Sequence, residues 1–130
     1  AMAAGLATMD IITRPGFYQP IFDRTARLCH GLEAAADSAG VPFTTNHAGT
    51  MFGGFFTNAA KVENYADVMA CDTRTFGRFF HRMLEHGVYL APASYEAGFM
   101  SAAHTDEDID KTIEAANIVF HMLTAGSSGA

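Results

Sequence analysis

The feature that most constrains this fold is a change of hydrophobic period around residue 40. Upstream, Phe17, Ile21, Thr25, Leu28, Leu32, Ala35 and Ala39 recur at steps of three and four, the spacing that lines one face of an α-helix. Downstream, Val41, Phe43 and Thr45 occupy every second position, the period of a strand. Gly40 stands between them as the left-handed residue that ends a helix, and Pro42 blocks its resumption. A chain that makes this switch has to pack a long helix against a sheet.

The remaining segments extend that plan. Met51 to Thr57 is a second strand, and Asn46-His47-Ala48-Gly49 has the turn chemistry to join it to the first as an antiparallel hairpin. Gly53-Gly54 within the strand implies a bulge or the close approach of another backbone. Residues 58 to 70 read as a connector with short helical turns at best. Asp72 or Thr73 caps a third helix bearing Phe76, Phe79, Phe80, Met83 and Leu84 on one face, stopped by Gly87. Val88-Tyr89-Leu90 reads as a short strand closed by Ala91-Pro92, and Glu96 to Ala102 as the strand that follows it. Thr105 caps a last helix, whose first-turn acids Asp106, Glu107 and Asp108 suit its positive end. Its buried stripe is Ile109, Ile113, Ala116, Phe120 and Leu123. The expected class is α+β: an antiparallel sheet of three to four strands with about four helices, in the order helix, helix, hairpin, helix, strand, strand, helix.

The beginning of the chain differs in kind. Met2, Leu6 and Met9 share a helical face, yet no Ser, Thr, Asp or Asn precedes them to satisfy the first free N–H groups. The expectation is a helix cut from an upstream chain; a frayed natural terminus is the alternative. Residues 1–14 are therefore assigned to that helix, 15–124 to one small domain and 125–130 to a flexible Gly-Ser tail.

Charge and composition exclude several functions. The 130 residues carry 14 acids against 8 Lys and Arg, a net −6, with no basic stripe for nucleic acid or an anionic membrane. No apolar run reaches the length of a membrane span. Cys29 and Cys71 match no metal or redox spacing, which fits a reducing cytoplasm better than a secreted disulfide scaffold. Only 17% of residues are charged, below the norm of about 25%. Eleven Phe and seven Met exceed what one small core is expected to hide, so part of that surface should face a partner and drive self-association.

Few residues invite chemistry. His81 and His86 are five apart, not the i, i+4 pair that shares a face for zinc, so no metal site is expected. Neither cysteine has a neighbouring base. Lys61 falls in the irregular connector and Lys111 on a charged helical face, so neither reads as a buried Schiff-base amine. Glu96, a lone acid in the loop after Pro92, can either orient a polar ligand or simply close a turn.

Gly87-Val88-Tyr89-Leu90-Ala91-Pro92, then Tyr95-Glu96-Ala97-Gly98-Phe99 and Ala103-His104-Thr105, resemble the C-terminal region of the glutamate-1-semialdehyde 2,1-aminomutase family. These enzymes are class III aminotransferases of the pyridoxal-phosphate fold-type I group. Ala1 to Gly5, Arg14 to Tyr18, Gly49 to Phe52, Tyr65 to Asp72 and Arg78 to His81 carry the likeness along the chain. The resemblance implies the C-terminal small domain of a homodimeric enzyme that uses pyridoxal phosphate to convert glutamate-1-semialdehyde into 5-aminolevulinate, a tetrapyrrole precursor. It places the cofactor lysine, the aspartate at the pyridine nitrogen and most phosphate contacts in a large upstream domain. This chain should then hold no cofactor and be inactive alone. Glu96 would line the substrate end of the pocket near the reacting amino groups, with Ser94 and Gly98 shaping the same loop. The alternatives are another class III aminotransferase, or a stand-alone binding module derived from the domain.

Overall fold

The computed structural model describes residues 1–125. Helix α1 (Met2–Ile12) begins without a side-chain cap and buries none of its side chains. Helix α2 (Gln19–Ala39) tolerates Pro20 in its first turn, where the missing N–H has no helical partner to lose. It ends at Gly40 with φ 68°, a left-handed conformation suited to glycine. Its inward stripe of Ile21, Leu28, Leu32 and Ala35 is buried as the period requires. Thr25 joins that stripe because its hydroxyl donates to the Ile21 carbonyl at 2.8 Å.

Three antiparallel strands form the sheet in the order β1 (Thr44–Ala48), β2 (Met51–Phe55) and β3 (Gly98–Phe99). The hairpin turn lies later than its sequence suggests. Asn46, His47 and Ala48 belong to β1 and pair with Gly53, Phe52 and Met51, so the loop is only Gly49-Thr50. Gly49 adopts φ 61°, as the first loop residue of a glycine-led tight hairpin does. Gly53 and Gly54 form no bulge, since the register runs through both without a break. What approaches them closely is an aromatic side chain: a Cβ on Gly54 would sit 2.7 Å from the Phe43 ring.

Asn64 closes a capping box on the short helix α3 (Tyr65–Met69), and Asp72 caps α4 (Thr73–Glu85) through the Thr75 N–H at 2.9 Å. Helix α5 (Asp106–Ala125) starts at a reciprocal cap in which Thr105 and Asp108 bond each other's backbone N–H. Ala125, assigned from sequence to the tail, is the last residue of α5, and residues 126–130 lie outside the described residues. Val88-Tyr89-Leu90 is not a strand. Val88 N–H donates back to the Met83 carbonyl at 2.9 Å, and Val88 and Leu90 fold onto the core while Tyr89 stays exposed. The sheet therefore has three strands.

The core lies where α2, α4 and α5 meet the sheet. Phe43, Phe56, Phe79 and Phe120 make a ring cluster in which all six centroid pairs fall between 4.8 and 6.1 Å. Such edge-to-face and offset pairs add stabilisation beyond burial itself. Helices α2 and α5 approach so closely that a side chain on Gly31 would run into Ile113. Outside that seam, Arg24 reaches Asp106 at 2.9 Å and Arg27 pairs with Asp110. The expected apolar surplus divides unevenly. Five of the seven methionines are exposed, but only Phe22 and Phe99 among the eleven phenylalanines are. The core hides phenylalanine better than composition suggested, because the rings stack on one another. Among the described residues no helix is long and apolar enough to cross a membrane.

Candidate functional site

The segment between α4 and α5 is where regular backbone gives out. Gly87 turns the chain with φ 83°; then Glu96 N–H donates to the Ala93 carbonyl at 3.0 Å and closes a turn. The chain pairs briefly with β2 through Gly98 and Phe99. Met100 N–H next bonds the Thr50 carbonyl at 2.8 Å, tying the segment to the tip of the hairpin. Ser101 N–H donates to His104 Nδ1 at 3.0 Å, and the Ser101 hydroxyl lies 3.1 Å from the same nitrogen.

Two cavities flank this segment. The larger, about 410 Å³, has walls of Leu28, Leu32, Phe43, Phe76 and Phe79, with Glu96, His104, Asp108 and Thr112 as its polar lining. The smaller, about 270 Å³, lies between Asn46, Met51, Phe55 and Val68 and the loop residues Ser94 and Tyr95. Phe52, Gly53, Glu96 and Ala97 line both, so Glu96 stands at their junction. An apolar cleft with few convergent polar groups is the usual form of a small-molecule site.

The three residues selected from sequence fall together here. Glu96 is exposed, Ser94 is 7% exposed within the second cavity, and Gly98 lines the first. Gly98 faces Phe52 across the strand pair, and the Phe52 ring occupies the space a Cβ would need. His104 and Asp108 were missed as lining residues. The Thr105 N–H and hydroxyl hold the Asp108 carboxyl below its ordinary range, and His104 adds to that. Its place in a cap identified Asp108 as structural, and nothing in the spacing showed that the cap borders a cavity.

Other candidates stay apart. Among the described residues no group of three or more His, Cys, Asp or Glu is placed to hold a metal. His86 Nδ1 pairs with the Arg82 carbonyl, and the His30 and His47 rings lie 6.2 Å apart. Cys29 and Cys71 are buried and unbridged, and burial pushes both thiols up from their ordinary value. Lys111 is paired with Glu107 at 2.7 Å on an exposed face. Neither it nor Lys61 lines the cavities described, and no arginine does. These residues do not by themselves fit pyridoxal phosphate, which needs an amine for its aldehyde and donors for its phosphate.

The fold is that of the C-terminal domain of fold-type I pyridoxal-phosphate enzymes. FumI from a Sphingopyxis species, solved in its PLP internal aldimine form, superposes on 98% of this chain with a TM-score of 0.77 and 26% identity. An omega-transaminase from Sphaerobacter thermophilus matches 95% of it with a TM-score of 0.76 and 19% identity. A glutamate-1-semialdehyde aminomutase from Pseudomonas aeruginosa matches 82%, with a TM-score of 0.61 and 17% identity. In these structures the matched part is 28%, 28% and 23% of the other chain, so this chain spans less than a third of their length. No protein-family model matches the sequence.

Proposed function

We propose that this chain is the C-terminal small domain of a pyridoxal-phosphate-dependent aminotransferase, with Glu96 facing the amino group of the substrate. The observation that carries the reading is the superposition of nearly the whole chain on FumI, with Glu96 at the junction of two cavities. The omega-transaminase match is longer and closer than the aminomutase match. It favours an enzyme that passes nitrogen to a separate oxo acid over one that shifts it within glutamate-1-semialdehyde. The aminomutase stays as a second reading because of the sequence run from Gly87 to Thr105.

On this reading the cofactor and its lysine belong to the rest of the polypeptide, and this domain contributes one side of the substrate pocket. The Glu96 carboxylate favours the ammonium form of an amine beside it. The turn at Ala93 holds the backbone from which that carboxylate extends. The test is to express the complete gene product and assay amino transfer from a panel of amines to an oxo acid, alongside isomerisation of glutamate-1-semialdehyde. Transfer that falls about tenfold or more in kcat/KM on Glu96→Gln supports the reading. Isomerisation without an acceptor selects the aminomutase, and a product with neither activity refutes both.

A further inference from the structure

We infer that the larger cavity is a subsite for a hydrocarbon substituent of the substrate amine, an alkyl or aryl group larger than methyl. The inference rests on Glu96 as the amine-facing carboxylate and adds what the rest of the amine has to be. At about 410 Å³ the cavity falls in the size range of small-molecule pockets. Its lining sorts by burial. The lining residues that are buried are Leu28, Leu32, Phe79, Met100 and Ile109. Met100 brings a thioether, and the other four carry no polar side-chain atom. Glu96, His104 and Asp108 are all exposed, so the charged and polar groups stand at the opening and not in the interior. Leu28 and Leu32 come from α2, Phe79 from α4 and Ile109 from α5. The interior is thus built from this chain's own core, whatever the rest of the polypeptide adds at the opening.

Those walls select by polarity. Each methylene moved from water against them should tighten binding about fourfold. A hydroxyl, an amide or a charge carried to the same depth would lose its water and meet no side-chain partner among these five residues, and an unpaired buried polar group is costly. Glu96 lines the same cavity, so an ammonium on its carboxylate leaves the substituent beside the apolar walls. The selection acts on that substituent alone. It sets no condition on the carboxylate of an oxo-acid acceptor, nor on substrate groups that face the rest of the polypeptide.

The test titrates the 130-residue chain with ethylamine, butylamine, hexylamine and 5-aminopentanol, which share one ammonium group, and reads binding by methyl NMR. Affinity should rise about fourfold per methylene from ethylamine to hexylamine. The aminopentanol, in which a hydroxyl replaces the terminal methyl, should bind about tenfold or more below hexylamine. The methyls of Leu28, Leu32 and Ile109 should shift, and those of Leu6 on the exposed α1 should not. Val88→Phe adds a ring at a lining position and should weaken hexylamine about tenfold while leaving ethylamine within about twofold, with Phe56 and Phe120 resonances reporting an intact core. If that variant does not fold, the wild-type series decides. Equal affinity along the series, equal binding of hexylamine and the aminopentanol, shifts that spread to α1, or no binding of hexylamine would overturn the inference. The complete gene product separates it from the reading beneath it. Amino transfer with kcat/KM flat across the three alkylamines sinks the subsite and leaves the reading. Cavity binding without amino transfer sinks the reading and leaves the cavity as a hydrocarbon site.

Discussion

The α2–α5 pair and the segment from Gly87 to Thr105 solve the same problem in opposite ways. Along α2 and α5 the backbone satisfies itself and side chains do the packing: Gly31 under Ile113 lets the helices close, and four phenylalanines fill the space beside them. Between α4 and α5 large side chains such as Leu90 and Met100 alternate with small and polar ones, and the backbone is held by isolated bonds, such as Val88 to Met83 nearby and Met100 to the distant Thr50. The first region can lose little volume without penalty. The second can change its exposed side chains, such as Tyr89 and Glu96, cheaply but depends on where the first holds it. That division of labour suits a rigid scaffold presenting a loop-borne site.

The largest expected effect comes from breaking the scaffold. Phe120→Ala removes a ring that is fully buried against three others and should cost about 3–5 kcal/mol in urea unfolding. A loss below about 1 kcal/mol would show the cluster to be less tightly packed than described. Next comes the contact that ties the loop segment to the sheet. Gly98→Ala drives a methyl into the Phe52 ring and should cost about 1–3 kcal/mol. It should also move amide resonances from Ser94 to Met100; an unchanged spectrum there would separate Gly98 from the loop it is said to fix.

Asp72→Ala should cost about 1 kcal/mol through loss of the α4 cap, read as a lower unfolding midpoint. The Thr75 backbone N–H, then its hydroxyl, lower the Asp72 pKa. Its contribution is therefore present above the unfolded Asp value, about 3.9, and lost as pH falls through the lower folded one. Wild type should lose stability across that acid range more steeply than Asp72→Ala, and parallel pH curves would remove the cap from the account. The smallest effect is expected in the loop itself. Glu96→Gln should leave stability within about 0.5 kcal/mol of wild type, and a larger loss would make Glu96 a structural turn acid after all.

The sequence disclosed the scaffold more fully than the loop, and for a physical reason. Helical stripes such as Ile21 to Ala39 repeat over many residues, and caps such as Asp72 and Thr105 act locally, so both are legible without tertiary knowledge. Val88-Tyr89-Leu90 has a strand's alternation, but what decided its state was whether a partner strand stood alongside, and none does. The turn was expected to begin three residues early, at Asn46 rather than Gly49, because Asn46 and His47 look like turn formers. Asn46 spends its side-chain amide on the Val62 carbonyl instead, a contact sixteen residues away. At the candidate site, Glu96 was singled out as a lone acid and then, with Ser94 and Gly98, through a resemblance, while His104 needed the fold to bring a helix cap to the edge of a cavity.

Glu33 on α2 accepts from both the Thr45 N–H, at 2.8 Å, and the Thr45 hydroxyl, at 2.7 Å. That N–H lies on the outer side of β1, the free margin of the sheet. A strand arriving from another molecule would have to displace a carboxylate and then face its charge, a standard defence against edge-to-edge aggregation. Growth of the sheet along β1 is thus opposed at Thr45, which leaves the β3 margin, at the site's own border, as the edge without that guard.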